Sequence, residues 1–309
     1  MLSLDLPKAT LVAQPVPGVP WMAGGLGAFF PRLTSDGHLE LLVSGRDAGG
    51  ESRIGAMTFE WGDPPRLLHV SEPLLDRGAL GAFDMNGAGY PWLVQHEGAQ
   101  RMFYVGWMRL GGGVPFRNQL GLAERLGHNG PFRRMSQASW FPATDREPIG
   151  TGSCAVDRLP SGLWRMLYVN FVGWERQSDS VSHRYNVRQA FSDDGLTFDR
   201  ETSSVAIELE GDEVAIGTPA PRWVGGGQEI LFTARVRDYR LYSVPVTDDG
   251  EILRSRTRLD IPAGSWDGEM QGYPKLLHRA GQDWLFYCGD GYGRAGIGMV
   301  PLPARLLAK

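Results

Sequence analysis

The run QRMFYVG at residues 100–106 comes back as WRMLYVN at 164–170 and as DWLFYCG at 283–289. LELLVSG (39–45) and EILFTAR (229–235) complete a set of five. Each is a short apolar run rich in aromatic or β-branched residues, the composition of a strand. Neighbouring copies lie roughly 60 residues apart, and a fixed period of that kind signals a repeat architecture. In register, the five runs place Val43, Tyr104, Tyr168, Thr233 and Tyr287 at one position.

Working outward, each run has a strand before it: GAFFPRL (27–33), GAGYPWLV (87–94), TGSCAVDRL (151–159), GTPAPRWV (217–224) and QGYPKLL (271–277). Each also has a third strand after it, such as NQLGLAERL (118–126) or AGIGMVPLP (295–303). SEPLLD (71–76) and SSVAIEL (203–209) read as fourth, outer strands, and DDG at 193–195 and 248–250 as the turns leading to them. The 42 glycines and 21 prolines show no collagen period, so they punctuate many turns. This pattern predicts an all-β, five-bladed β-propeller that occupies residues 1–309 as a single domain. Too little chain follows the last third strand to complete the fifth blade. The N-terminal LSLDLPKATLVAQP (2–15) is therefore expected to supply its outer strand and cover an open sheet edge.

Bulk properties exclude several classes. The formal charge is -4 and no Lys/Arg-rich run stands out, which argues against nucleic-acid binding. No stretch is apolar enough for a membrane span, and the N-terminus lacks the basic and apolar regions of a secretory leader. The two cysteines, Cys154 and Cys288, sit in separate apolar runs, which fits a reducing, cytoplasmic setting. None of the six histidines (His38, His69, His96, His128, His183, His278) pairs at a metal-ligand spacing, so neither metal nor cofactor is expected. GDGYGRAGIG (289–298) has the glycines of a phosphate loop but opens no helix.

The polar residues keep a register of their own. Four of the five inner strands follow an acid: Asp84 in FDMNGAGYP (83–91), Asp145 and Glu147 in TDREPIGTGS (144–153), Asp212 and Glu213 in GDEVAIGTP (211–219), and Asp267 and Glu269 in WDGEMQGYP (266–274). Converging carboxylates are costly unless a site uses them, so their recurrence points to a shared active centre. In an extended segment Asp267 and Glu269 would face one side, offset by Arg235 or Arg294. Second strands end in Arg46, Trp107, Asn170, Arg235 and Asp290, in the same layer.

These features resemble the glycoside hydrolase clan of families 32, 43, 62 and 68 and the mannoside phosphorylases of family 130. FDMNGAGYPWLV, RMFYVGW, NQLGLAERL, DEVAIGTP, WDGEMQGYP and FYCGDGYGRAGIG look closest to bacterial family-43-like proteins of sugar-pathway gene clusters. The resemblance covers the chain from about Gly24 to Pro303. It implies a first-blade Asp as general base, a second-blade Asp that tunes acidity and a third-blade Glu as general acid. Asp84 matches the second of these, and Glu147 or Asp145 stands for the third. The first blade departs, with phenylalanines in LGAFFPRL (26–33).

Together these readings predict a carbohydrate-active enzyme of glycosidase type acting on a small glycoside or activated sugar. Its catalytic residues would be Asp84, Glu213, Asp267 and Glu269, with Glu213 as acid and Asp84 or Asp267 as base or nucleophile. His183, Tyr185, Arg235, Tyr273, Asp290, Tyr292 and Trp107 would bind the substrate. The alternatives are a lyase or cyclase reusing the same acids, or a sugar-binding protein without chemistry.

Overall fold

The computed structural model describes residues 2–304 except 97, 112, 128, 129, 177–180 and 249. His128 and the middle Asp249 of the 248–250 turn therefore lie outside the described residues. Regular structure in the described chain is almost wholly strand. Its one helical element is a 3-10 turn at Pro20–Met22, and no described helix is long and apolar enough to cross a membrane.

The strands begin with β1 (Leu2–Asp5) and β2 (Thr10–Ala13). Five antiparallel units follow. The first is β3 (Gly25–Leu33), β4 (Leu39–Arg46), β5 (Ser52–Glu60) and β6 (Arg66–Val70). The second is β7 (Gly87–His96), β8 (Ala99–Arg109), β9 (Phe116–Leu126) and β10 (Arg133–Arg134). The third is β11 (Thr151–Arg158), β12 (Trp164–Arg176), β13 (Val181–Ser192) and β14 (Asp199–Ile207). The fourth is β15 (Ala215–Val224), β16 (Gly227–Arg235), β17 (Tyr239–Val246) and β18 (Thr257–Asp260). The fifth is β19 (Gly272–Arg279), β20 (Gln282–Cys288) and β21 (Ile297–Leu302).

Single parallel bridges, Ser52 to Gly87 and Tyr185 to Ala215, join the first unit to the second and the third to the fourth. The first strands approach one another in the order β3, β7, β11, β15, β19, and β19 in turn approaches β3.

The N-terminal segment divides between two units. β2 pairs antiparallel with β21 as a fourth strand of the fifth unit, while β1 pairs parallel with β18 of the fourth. The sequence showed strand content here but not this split.

The five matched second-strand runs lie at the centre of the units, and Tyr104, Tyr168, Thr233, Tyr287 and Val43 are all buried. Aromatic side chains from the segments leading into the units pack flat on second and third strands at glycines. A Cβ at Gly106 would come 2.3 Å from the Phe83 ring, and one at Gly298 would come 2.2 Å from Trp266. These close approaches are why glycine stands inside strands that otherwise favour larger residues.

Candidate functional site: a tyrosine-lined cleft

All five first strands carry a register shift at the same place, between Leu26 and Phe29, Gly89 and Trp92, Thr151 and Cys154, Gly217 and Ala220, and Gly272 and Lys275. In three of them a non-glycine residue takes a left-handed backbone: Tyr90 at φ 54°, Thr218 at 49° and Tyr273 at 62°. Such positions cost roughly 1–3 kcal/mol each and persist only where neighbours enforce them. Here the Tyr90 amide donates to Ser44 Oγ and the Tyr273 amide to Thr233 Oγ1, both at 2.9 Å. A bulge re-aims a side chain, and these turn Tyr90, Ser153, Thr218 and Tyr273 into one cleft.

The cleft holds about 280 Å³. Its walls add Arg46, Asn118, His183, Tyr185, Tyr239 and Tyr292. A second lobe of about 290 Å³ continues it past Arg46, Tyr90 and Asn118 to Ser52 and Trp107. Each lobe is at the small end for a ligand site, the size of a monosaccharide more than a chain. The phenols form two hydrogen-bonded pairs. Tyr90 Oη donates to Tyr273 Oη at 3.1 Å, and the Tyr185 and Tyr239 hydroxyls share a short hydrogen bond. The His183 ring stacks on Tyr185, 5.0 Å away and 12° from parallel.

No carboxylate lines either lobe among the described residues, so Asp84, Glu213, Asp267 and Glu269, the acids expected to be catalytic, stand apart from this cleft. The acids are buried one to a unit, each bound inside its own sheet. Asp84 accepts Tyr104 Oη at 2.9 Å and Arg134 Nε at 2.8 Å. Glu147 accepts Tyr168 Oη at 2.5 Å and pairs with Arg188 and Arg200. Asp267 accepts Tyr287 Oη at 2.6 Å, Gln271 Nε2 at 3.0 Å and the Gly264 amide. Glu213, whose unit has Thr233 at the tyrosine position, takes Arg256 Nη1 on both oxygens at 2.7 and 2.8 Å. The first unit has Val43 at that position and no acid in the segment that enters it.

In the second, third and fifth units the acid and the second-strand phenol therefore come as a pair. The acid's register reflects a clip that ties the entry loop to the middle of each of these sheets. Burial, reinforced by the paired acid, pushes Tyr168 up to about 12 and raises Tyr104 and Tyr287 further. Tyr287→Phe should accordingly lower stability by about 1.5–3 kcal/mol, the worth of a hydrogen bond to a charged group, when followed by chemical denaturation.

Glu269 and Asp290 also leave the site. The chain from Ser265 to Glu269 turns, so Asp267 points inward while Glu269 faces solvent. Asp290 Oδ1 accepts the amides of Glu269 and Met270 at 2.8 and 2.7 Å and fixes that turn. Neither Arg235 nor Arg294 pairs with the two acids. The remaining predicted binders do gather. His183, Tyr185, Tyr273 and Tyr292 line the first lobe and Trp107 the second. Arg235 lies behind the lining, its guanidinium 5.1 Å from the Tyr239 ring.

The sequence reading missed Tyr90 and Tyr239, and it left Arg46 out of the site. The available signal was the Gly-x-Pro spelling of GAGYP, GTP and QGYP, in which the middle residue is the one the bulge turns into the cleft.

The electrostatics of the cleft are one-sided. Burial, with Arg235 nearby, drives His183 down to about 4, so it is neutral at physiological pH. Burial raises Tyr90, Tyr185, Tyr239 and Tyr273, which stay protonated. The cleft therefore offers hydroxyl donors, a neutral imidazole and cationic guanidinium groups.

No known protein-family profile matches the chain. It is 31% identical over 267 residues to the uncharacterized proteins MT1551 and Rv1502 of Mycobacterium tuberculosis strains CDC 1551 / Oshkosh and H37Rv, a span of 85% of this chain and 87% of each relative. Among solved structures it is similar to a glycoside hydrolase (TM-score 0.70, 16% identity, 95% of this chain and 90% of that one). It is also similar to a thermostable family-43 glycoside hydrolase (TM-score 0.63, 11% identity, 94% and 91%). The Bombyx mori family-32 β-fructofuranosidase BmSUC1 gives a TM-score of 0.59 at 12% identity, over 96% of this chain and 61% of that one.

Proposed function

Since the chain belongs to the family of MT1551 and Rv1502 and carries the fold of family-43 and family-32 glycoside hydrolases, we propose that it binds a small sugar-like ligand in the tyrosine-lined cleft without hydrolysing it through a carboxylate pair. The observation that carries this reading is the composition of the cleft: five tyrosines, an asparagine and hydroxyls on bulged strands, with no acid among the described lining residues. Glycoside hydrolysis of the usual kind needs two carboxyl groups flanking the scissile bond, one protonated and one ionised. General acid–base work also wants a group that titrates near the working pH. Here His183 lies well below it and the phenols above it.

The same reading takes the five units as the blades of a five-bladed β-propeller, one domain over 1–309, with β2 closing the last blade. The cyclic approach of β3, β7, β11, β15 and β19 supports it. The two cysteines are free and buried, in keeping with a reducing compartment.

The test pairs calorimetric titration against a panel of monosaccharides and disaccharides with a hydrolysis assay on aryl glycosides. Binding without turnover is expected, and Tyr239→Phe should weaken binding by roughly tenfold through loss of one buried hydroxyl. Turnover by the wild type that Asp84→Asn, Glu213→Gln or Asp267→Asn abolishes at unchanged stability would overturn the proposal and restore the carboxylate centre.

A further inference from the structure

Arginine is abundant in this protein and, where buried, is almost always matched. Arg165 meets Asp157, Arg222 meets Glu229 and Asp283, and Arg256 meets Glu213 and Glu210. Two arginines at the cleft break that rule. Arg46, the last residue of β4, lines both lobes, and Arg235, the last residue of β16, lies behind the lining, its guanidinium over the ring of Tyr239 in the first lobe. Neither guanidinium has a hydrogen bond or ion pair with a described residue.

Arg235 is the sharper case. Its Nε is buried and unpartnered. Arg184 and Arg200, whose Nε is likewise buried without a hydrogen bond, each hold a carboxylate through another guanidinium nitrogen, and Arg188 and Arg258 hold theirs through Nε itself at 2.8 Å. Arg235 instead lies over the Tyr239 ring, and its charge is felt at His183, Tyr185, Tyr239 and Tyr273. Arg46 acts on Tyr90 from the other side.

A partly buried guanidinium without a counter-ion is expensive, because desolvation is not offset by pairing. The cost is recovered when an anion enters, and the planar fork of arginine suits a carboxylate or phosphate. The protonated tyrosines add hydroxyl donors, which favour an acceptor-rich group. A neutral sugar offers both arginines hydroxyl acceptors but no counter-charge.

We infer that the ligand of this cleft is an acidic sugar, bearing a carboxylate or a phosphate that Arg46 and Arg235 receive while the tyrosines hold the sugar hydroxyls. The inference rests on the cleft being a sugar site, and it adds the charge of the ligand. It also gives the missing acids a reason, since a carboxylate in the wall would repel such a ligand.

The experiment is isothermal titration of the full chain at neutral pH with glucose, glucuronate, glucose 6-phosphate and inorganic phosphate. At least one acidic sugar should bind roughly tenfold or more tighter than glucose, the scale of one charge-assisted hydrogen bond. Raising the salt should narrow that ratio. Arg235→Met and Arg46→Met should each bring the ratio toward one, and Arg235→Lys should keep part of it. Arg66→Met, on the outer strand β6 and paired there with Glu60, should leave the ratio alone and serves as the control for general charge.

Glucose binding as tightly as both acidic sugars overturns the inference and leaves the sugar site standing. Inorganic phosphate binding as tightly as glucose 6-phosphate overturns the sugar reading and leaves a bare anion site. Absence of binding by all four probes overturns both. The glucuronate and glucose 6-phosphate arms tell carboxylate from phosphate.

Discussion

Glu213→Gln should destabilise the protein by about 3–5 kcal/mol while leaving the sugar affinity of the folded molecule unchanged, because removing one partner strands a buried charge. Glu213 is buried, and Arg256, 4% exposed in its side chain, places Nη1 between the two carboxylate oxygens. The carboxylate also accepts the Glu210 amide at 2.9 Å, so it fixes the loop entering β15. Glutamine keeps the shape and one acceptor but removes the charge. Arg256 then retains the Glu208 carbonyl and the half-exposed Glu210, which moderates the loss toward the lower figure. Urea denaturation of wild type and variant, with titration of the acidic sugar in the absence of urea, reads both quantities. A catalytic Glu213 would give the reverse result, with stability kept and turnover lost.

Lys275→Met is expected to stabilise the protein at pH 7 by about 3 kcal/mol. Lys275 lies on β19, two residues below the Tyr273 bulge, and is buried with its Nζ 5.0 Å from the centre of the Trp92 ring. No carboxylate accompanies it among the described residues, and burial brings it down from 10.5 to about 8. The folded value lies below the unfolded one, so the unfolded chain binds the extra proton between them. Stability should therefore rise as pH climbs from about 8 to 10.5, and the penalty is fully present below that window. At about 1.4 kcal/mol per unit, the interval is worth about 3 kcal/mol.

The buried thiols pull the other way. Burial raises Cys154 to about 12 and lifts Cys288 as well, so both lose stability as the unfolded thiols ionise. The reading is therefore the difference between wild type and Lys275→Met, followed by denaturation from pH 7 to 10. A difference that stays flat with pH would show that Lys275 keeps its ordinary basicity.

The repeat was legible because five strands of one composition recur with matching neighbours, and strand pairing needs little beyond apolar pattern and turn chemistry. The candidate site was half legible. His183, Tyr185, Tyr273 and Tyr292 come together because they cluster where first strands begin and third strands start, a layer that sequence alignment can mark. Where the acids point was not legible, because alignment reports the layer of a residue and not its direction. Asp84 and Asp267 stand in the right layer but turn into their own sheets, toward Tyr104 and Tyr287. The clue was present in the same alignment: tyrosine at the second-strand position accompanies an acid in three units, and valine accompanies none. Arg46 and Arg235 could not be separated from paired arginines by sequence, since a missing partner is visible only in three dimensions.

The split of the N-terminal segment has a consequence for how the molecule is made. Leu2 lies opposite Thr257 and Thr10 opposite Met299, so β1 and β2 leave the ribosome long before the strands they pair with. Until they return, β18 and β21 each present an open edge, and contacts of such long sequence separation form slowly. Biogenesis should therefore pass through a nearly complete intermediate whose sticky edges are covered only at the final step. Nascent chains stalled before residue 297 should be sensitive to protease within β1 and β2 and should aggregate on release, whereas chains stalled after residue 304 has cleared the exit tunnel should resist. An early-made segment that serves as a late clasp makes the timing of translation a part of the protein's stability.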